Sequence, residues 1–81
     1  MKYLEELNNG DFFILENNKF LLTADFKQKR DDIYRMCVNT NSGLIKWVNN
    51  SEMVEYLDLY FRDVDGNILP LKEITRIDIQ Q

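Results

Sequence analysis

Cys37 is the only cysteine of the 81-residue chain and so its one candidate for thiol chemistry. A cysteine nucleophile usually needs a histidine to remove its proton, and the chain contains no histidine. The same absence removes the commonest metal ligand and the usual proton shuttle at neutral pH. Cys37 lies inside the apolar stretch 33–38, so we expect a small buried side chain and no disulfide.

The segment Asp63-x-Asp65-Gly66 places alternating carboxylates before a glycine, as a calcium-binding EF-hand loop does. If Gly66 took the invariant glycine position of that loop, the first and twelfth ligands would fall on Phe61 and Lys72. Neither side chain is a carboxylate. We therefore interpret the segment as a hairpin turn and predict no metal site.

No other arrangement of residues predicts a reaction. Carboxylates that work as an acid and a base share a cleft that separates their pKa values, whereas those of this chain fall mostly in predicted turns and on solvent faces. Gly10, Gly43 and Gly66 stand too far apart to form a phosphate-binding loop and are better explained as turn residues. We expect no catalytic residue, no cofactor and no enzyme activity.

Short apolar runs separated by Asn and Gly predict the elements that must position any functional residue, because this pattern is typical of antiparallel strands joined by tight turns. We expect one helical turn at the start, with Leu4 and Leu7 at one end of the core. Residues 27–32 are fully polar, so we expect an exposed, mobile loop there. The strands and turns expected up to residue 48 are 12–15, a hairpin connection at 17–18, 19–26, 33–39, a four-residue turn at 40–43, and 44–48.

The segment 52–61 fits two structures. Ser51 could cap a helix with Val54, Leu57 and Phe61 on its apolar face, or 57, 59 and 61 could form the inward face of a long strand. The aromatic residues favour the strand, followed by a turn at 63–67 and a partner strand at 68–71 that Pro70 confines to an edge or a bulge.

If 56–61 is a strand, it carries apolar residues on both faces, and we expect a homo-oligomer to cover one of them. Ile74, Ile77 and Ile79 could add a final strand. The whole chain, 1–81, is then a single mainly β domain. We expect a small antiparallel bent sheet, or an SH3-like partly open barrel of 5–6 strands with at most one short helix.

A series of turn and core positions resembles a group of small proteins encoded by bacteriophages and prophages. The positions are Leu7-x-x-Gly10-Asp11-x-Phe13, Phe20, Cys37-Val38-Asn39, Gly43 and Val54-Glu55. The resemblance implies a compact SH3-like barrel and a phage accessory role, and it supplies no catalytic residue. The chain departs from the pattern from Tyr56 onward.

The net charge is −4, and the acidic excess lies after Asn50. Direct binding to nucleic acid is not expected, because that needs an excess of Lys and Arg. We expect a non-catalytic binding protein, a phage-type accessory or counter-defence factor whose acidic surface meets a basic groove of a host protein. The alternatives are an oligomer that sequesters a small molecule or nucleotide, and a minor structural or assembly component. No apolar stretch predicts a membrane span or a secretion signal, so we expect a location in the cytoplasm, that of the host if the protein is phage-encoded.

Candidate binding residues are aromatic side chains that strand alternation could send outward, together with nearby cations. For Trp47 we favour a core position, with contact to a partner as the alternative. In the sequestering hypothesis, the aromatic and basic residues line a pocket at an oligomer interface. The candidates are Tyr34, Trp47, Tyr56, Tyr60, Lys27, Lys29, Arg30 and Arg35.

Overall fold

Residues 1–70 are described by the structure, a computed structural model, and they form two antiparallel sheets. A six-stranded sheet has the order β1-β6-β2-β3-β4-β5, and β7 and β8 form a separate hairpin. One 3₁₀ turn, Leu4–Glu6, follows β1. The strands are β1 (Lys2–Tyr3), β2 (Phe12–Leu15), β3 (Asn18–Lys29), β4 (Asp32–Asn39), β5 (Ile45–Asn49), β6 (Met53–Leu57), β7 (Tyr60–Arg62) and β8 (Ile68–Pro70).

The β2–β3 connection is a two-residue turn in which Glu16 and Asn17 have φ of 52° and 66°. Positive φ at both central residues matches the twist of a tight antiparallel hairpin. The prediction of a connection at 17–18 is therefore wrong by one residue, and Asn18 already pairs with Leu15. The four-residue turn at 40–43 is confirmed, with the Gly43 amide donating to the Asn39 carbonyl over 2.7 Å.

The expected mobile loop at 27–32 is wrong, because most of this segment belongs to a long β3–β4 hairpin. Lys27 pairs with Tyr34, and Lys29 pairs with Asp32, so the turn shrinks to Arg30 and its neighbour. Arg30 has φ of 58°, as a tight turn requires. The segment is polar because residues 27–32 are exposed on this extended ribbon, and solvent exposure does not prevent strand pairing.

A bulge in β3 interrupts its pairing with β4. The register shifts between Leu22, which pairs with Cys37, and Phe26, which pairs with Arg35. The Thr23 hydroxyl lies within the bulge and donates to the Met36 carbonyl over 2.7 Å. Because the shift is two residues, alternate side chains keep their faces on both sides of the bulge while the strand bends.

A short link between β5 and β6 requires the sheet to bend. The strands β2, β3 and β4 lie between β5 and β6 in the sheet, yet only residues 50–52 join the two. The 3₁₀ turn is fastened to this link, since the Leu4 amide donates to the Glu52 carbonyl and the Glu5 amide donates to the Asn50 carbonyl, both over 2.9 Å. The predicted mainly β bent sheet is confirmed, and within residues 1–70 it does not close into a barrel.

The core lies on the concave side of this sheet. Phe13 and Phe20 form a directly paired couple on β2 and β3, with ring centroids 5.5 Å apart. The expectations that Leu4 and Leu7 cover one end and that Cys37 is buried are confirmed. The complete buried apolar set is Leu4, Leu7, Phe13, Phe20, Leu22, Cys37, Val48 and Val54.

The segment 52–61 forms strands, as favoured, but not one continuous strand. β6 ends at Leu57, two residues do not pair, and β7 begins at Tyr60. The turn at 63–67 and the partner strand are confirmed, with Pro70 pairing with Tyr60 at the end of the small hairpin. The predicted final strand with Ile74, Ile77 and Ile79 lies outside the described residues.

Asp63 organises the β7–β8 turn. Its Oδ1 accepts from the amides of Asp65 and Asn67, each over 2.9 Å, and its Oδ2 accepts from the Asn67 side chain over 3.2 Å. The backbone hydrogen bond from Asn67 is the main reason that the pKa of Asp63 lies below its usual 3.8. The turn therefore depends on the ionised carboxylate.

Truncation of Phe13 tests the paired aromatic core. Phe13→Ala removes a fully buried ring and should lower the free energy of unfolding by about 3–5 kcal/mol. Phe26→Ala is the matched control, because Phe26 is 63% exposed, and its effect should stay within about 0.5 kcal/mol. Urea denaturation followed by circular dichroism measures both values. Equal effects would contradict the assignment of the core.

Acid should loosen the β7–β8 turn. Because the pKa of Asp63 is lowered in the folded protein, its stabilising contribution is present above about pH 4 and is lost as pH falls through that lowered pKa. Amide chemical shifts of Asp65 and Asn67 in an NMR titration should report the change. Asp63→Asn should remove this change in chemical shift at acid pH. If the change persists in that variant, another carboxylate causes it.

Candidate functional site

The second face of the six-stranded sheet carries a continuous apolar row. Direct pairing joins Leu57 to Phe12, Phe12 to Leu21, Leu21 to Val38, and Val38 to Ile45, from β6 across to β5. Directly paired residues project from the same side of an antiparallel sheet. The first four are half-buried and Ile45 is 56% exposed, so the row is partly accessible along its length and most accessible at its β5 end.

An aromatic and basic group adjoins this row. Trp47 pairs with Met36 in the next row and is 39% exposed, while the Lys27 Nζ lies 4.5 Å from the centroid of its ring. Tyr34 pairs with Lys27, which places it on the same side of the sheet. We call the row and this group together the outer face. Its members are Phe12, Leu21, Val38, Ile45, Leu57, Met36, Trp47, Tyr34 and Lys27.

The favoured core position of Trp47 is wrong. Trp47 and Val48 are neighbours on β5, so their side chains point to opposite faces, and Val48 takes the core side with only 3% exposure. Trp47 must then lie on the outer face. The alternation of β5 allows either Trp47 or Val48 to face the core. The structure places the smaller Val48 there.

The other two tyrosine candidates are not members of the outer face, but both line a recess with Phe12 and Leu57 at its β6 end. Tyr56 pairs with Phe13 on the core side and is half-buried, with the Lys2 Nζ 5.2 Å from its ring centroid. A hydrogen bond with Asp58 is the main cause that raises the pKa of Tyr56. Tyr60, on β7, is 59% exposed. Both tyrosines line a recess of about 60 Å³, which is far below the volume of a typical ligand pocket.

The structure does not bring the four basic candidates together. Lys29 and Arg30 lie exposed at the end of the β3–β4 hairpin. Arg35 pairs with Val48 on the core side, donates to the Thr23 carbonyl over 2.8 Å and also bonds to the Asn9 side chain. Only Lys27 joins an aromatic candidate.

Arg35 also borders an open recess of about 320 Å³ beside the β3 bulge, lined by Asn9, Ala24, Phe26, Ile33, Arg35 and Asn50. Two buried polar atoms of this lining, Arg35 Nε and Asn50 Oδ1, have no hydrogen-bond partner among the described residues. Because both atoms are buried from solvent, a ligand in the open recess does not reach them without rearrangement. The hydrogen bonds of Arg35 connect the bulge to the segment before β2.

The charge of the molecule is uneven. Between residues 51 and 70, the carboxylates of Glu52, Glu55, Asp58, Asp63 and Asp65 face a single cation, Arg62, which gives a net charge of −4. Residues 1–50 carry seven cations and seven carboxylates, so their net charge is zero. The acidic end is therefore β6 and the β7–β8 hairpin, next to the end of the apolar row at Leu57.

Cys37 is the one thiol among the described residues, and it is buried. Burial raises the pKa of the Cys37 thiol to about 11, and the nearby Arg35 offsets this only in part. No group of three metal-binding side chains occurs within residues 1–70. In that same range, no helix has the length and apolar character needed to cross a membrane.

Comparison with known protein families, curated proteins and solved structures finds no match to the chain. The assignment of the outer face as a candidate site therefore rests on strand pairing and exposure alone. The sequence signal that could have revealed it is the pattern within β2 to β4, where Phe12, Leu21 and Val38 are apolar although their neighbours Phe13, Phe20, Leu22 and Cys37 fill the core.

Cys37 should be inert in the native protein. At pH 8 almost no thiolate forms when the pKa is about 11, and the side chain is 0% exposed. Iodoacetamide should therefore leave the folded protein unmodified and alkylate it completely in denaturant, as measured by mass spectrometry. Rapid alkylation without denaturant would show that the site opens.

Proposed function

We propose that this protein is a non-catalytic binding protein that contacts a partner protein through its outer face. The observation that carries the proposal is the apolar row from Leu57 to Ile45, which runs across five strands on the side of the sheet opposite the core and is partly accessible. Contiguous apolar surface rimmed by polar residues is typical of protein interaction sites. Because the row lies on paired strands, binding a partner to it requires no conformational change in this protein.

The aromatic and basic group supports contact with a protein. Trp and Tyr dominate the binding energy of protein interfaces because they bury a large area at a small cost in conformational entropy. Trp47 is held under Lys27, so its ring is partly ordered before a partner binds. Tyr34 on the same face extends this anchor.

The charge distribution supports a partner with basic side chains. The acidic end, residues 51–70, adjoins the row at Leu57, so a partner that covers the row also approaches these carboxylates. Electrostatic complementarity of this kind accelerates association and selects the partner. We therefore specify the partner as a protein with an apolar patch flanked by Lys or Arg.

A phage-type accessory or counter-defence role is the biological setting that we propose for this contact, on the strength of the resemblance in the opening and core residues. The partner is then a host protein in the cytoplasm. Sequestration of a small molecule or nucleotide is less well supported by the geometry. It needs several cations around one aromatic group, whereas Lys27 beside Trp47 and Lys2 beside Tyr56 lie on opposite sides of the sheet.

A charge placed in the middle of the row should abolish partner binding. Val38→Lys puts an ammonium group at the centre of the outer face, where burial against an apolar partner is unfavourable. Phe26→Lys is the matched control, because Phe26 is exposed on the opposite side of the sheet, where it pairs with Arg35, and lies outside the acidic end. We expect affinity for the partner to fall at least about tenfold for Val38→Lys and to stay close to wild type for Phe26→Lys.

The experiment uses affinity capture from bacterial lysate by the wild type and both variants, followed by calorimetry with each purified candidate. A partner qualifies only if Val38→Lys loses it, Phe26→Lys retains it, and its binding weakens as salt rises. Circular dichroism confirms that both variants fold. The proposal fails if folded Val38→Lys binds every candidate as tightly as the wild type.

A further inference from the structure

β5 is the long free edge of the six-stranded sheet. It lies at one end of the strand order, and within residues 1–70 no strand pairs with its outer side. The opposite edge is β1, which has only two residues. Ile45 and Trp47 on β5 are both substantially exposed, at 56% and 39%. The edge therefore combines unpaired backbone with apolar side chains.

Two hydrogen bonds show which backbone groups of β5 point outward. The Asn39 amide donates to the Leu44 carbonyl, and the Asn50 amide donates to the Ile33 carbonyl. Hydrogen-bonded and non-hydrogen-bonded pairs alternate in an antiparallel ladder, so Lys46 and Val48 bond to β4 as well. The backbone N–H and C=O groups of Ile45, Trp47 and Asn49 consequently face away from β4.

β5 lacks the structural features that usually prevent another strand from pairing with a free edge. Such edges are protected by proline, bulges or free charges, whereas β5 contains no proline and its register with β4 is uninterrupted. Its one charged side chain, Lys46, points to the core side and pairs with Glu16 at 3.3 Å. Nothing on β5 itself opposes a further strand.

We propose that a second copy of this chain pairs with β5 in antiparallel fashion, with the two-fold axis at Trp47. In this register the two Trp47 residues form a hydrogen-bonded pair, and Ile45 of each copy lies opposite Asn49 of the other. All outward amides of β5 then find a carbonyl. The Asn49 carbonyl, which already accepts from Glu52, uses its second lone pair.

Charge and strand length select this register over its two neighbours. A shift toward the start of β5 would place the two Lys46 residues directly opposite each other, which is unfavourable in a ladder, and a shift toward its end would leave Ile45 opposite Ser51, outside the strand. Centring the axis on Trp47 instead sets two large aromatic side chains together on the outer face. The apolar rows of the two copies then meet at Ile45 and Trp47 and form one surface.

The inference goes beyond the proposed function, because dimerisation needs no host partner and the two tests use different residues. Sedimentation velocity of the full chain over a wide concentration range should show a reversible monomer–dimer equilibrium. Hydrogen exchange followed by NMR should show protected amides at Ile45, Trp47 and Asn49, and this protection should fall on dilution. Protection that does not change with concentration would assign the edge to another strand of the same chain and overturn the proposal.

Charge variants test the register. Trp47→Lys brings two ammonium groups directly opposite each other and should weaken self-association at least tenfold. Trp47→Glu should do the same with two carboxylates. An equimolar mixture of the two variants should restore the dimer, because opposite charges then face each other. Tyr60→Lys, which changes an aromatic residue that is 59% exposed outside β5, should dimerise like the wild type.

A wild type that stays monomeric at every concentration overturns the proposal. A mixture that fails to dimerise, although each variant is folded by circular dichroism, overturns the register at Trp47. Loss of dimerisation in Tyr60→Lys would move the interface to the β7–β8 hairpin and also contradict the inference.

Discussion

The link between β5 and β6 is the constraint on which the rest of this molecule depends. Three residues connect strands that three other strands separate, so the sheet has to curve, and only a curved sheet can enclose a core on one side. The 3₁₀ turn bonds to the link and closes the end of that core with Leu4. The curvature also determines the exposure of the opposite face. With the core on the concave side, the apolar residues on the other side of β2 to β6 remain accessible.

The sequence was sufficient for the strands and turns that have strong local signals. Gly43 and the Asp63 carboxylate each stabilise a turn through contacts within five residues, and Cys37 lies in a short apolar run, so their positions follow from local chemistry. The hairpin at 27–32 could not be predicted in this way. Its six polar residues carry no apolar alternation, and they are held in strands by pairing with partners across the ribbon, which a polarity pattern does not report.

The candidate site was only partly predictable, for a related reason. Tyr34, Trp47 and Lys27 were named as residues, but their grouping depends on the register of β3, β4 and β5, which includes a two-residue shift at the bulge. Arg35 shows the opposite outcome. Its charge suggested a ligand contact, whereas register places it on the core side, where it bonds to the Thr23 carbonyl. The type of a residue indicates the chemistry it could do. The register of strand pairing determines which residues lie on the same face of the sheet.

The arrangement of Trp47 connects the two surfaces of interest. Its side chain belongs to the outer face, while its backbone groups point out of the free edge, so one residue can serve both partner binding and strand addition. Lys27 over the ring restricts the indole on the outer face and leaves the backbone edge of β5 open. Because Ile45 ends the apolar row at this same edge, pairing of two copies would lengthen the row without any change in either sheet. Such a dimer would give a small domain with one core face a binding surface larger than its own width.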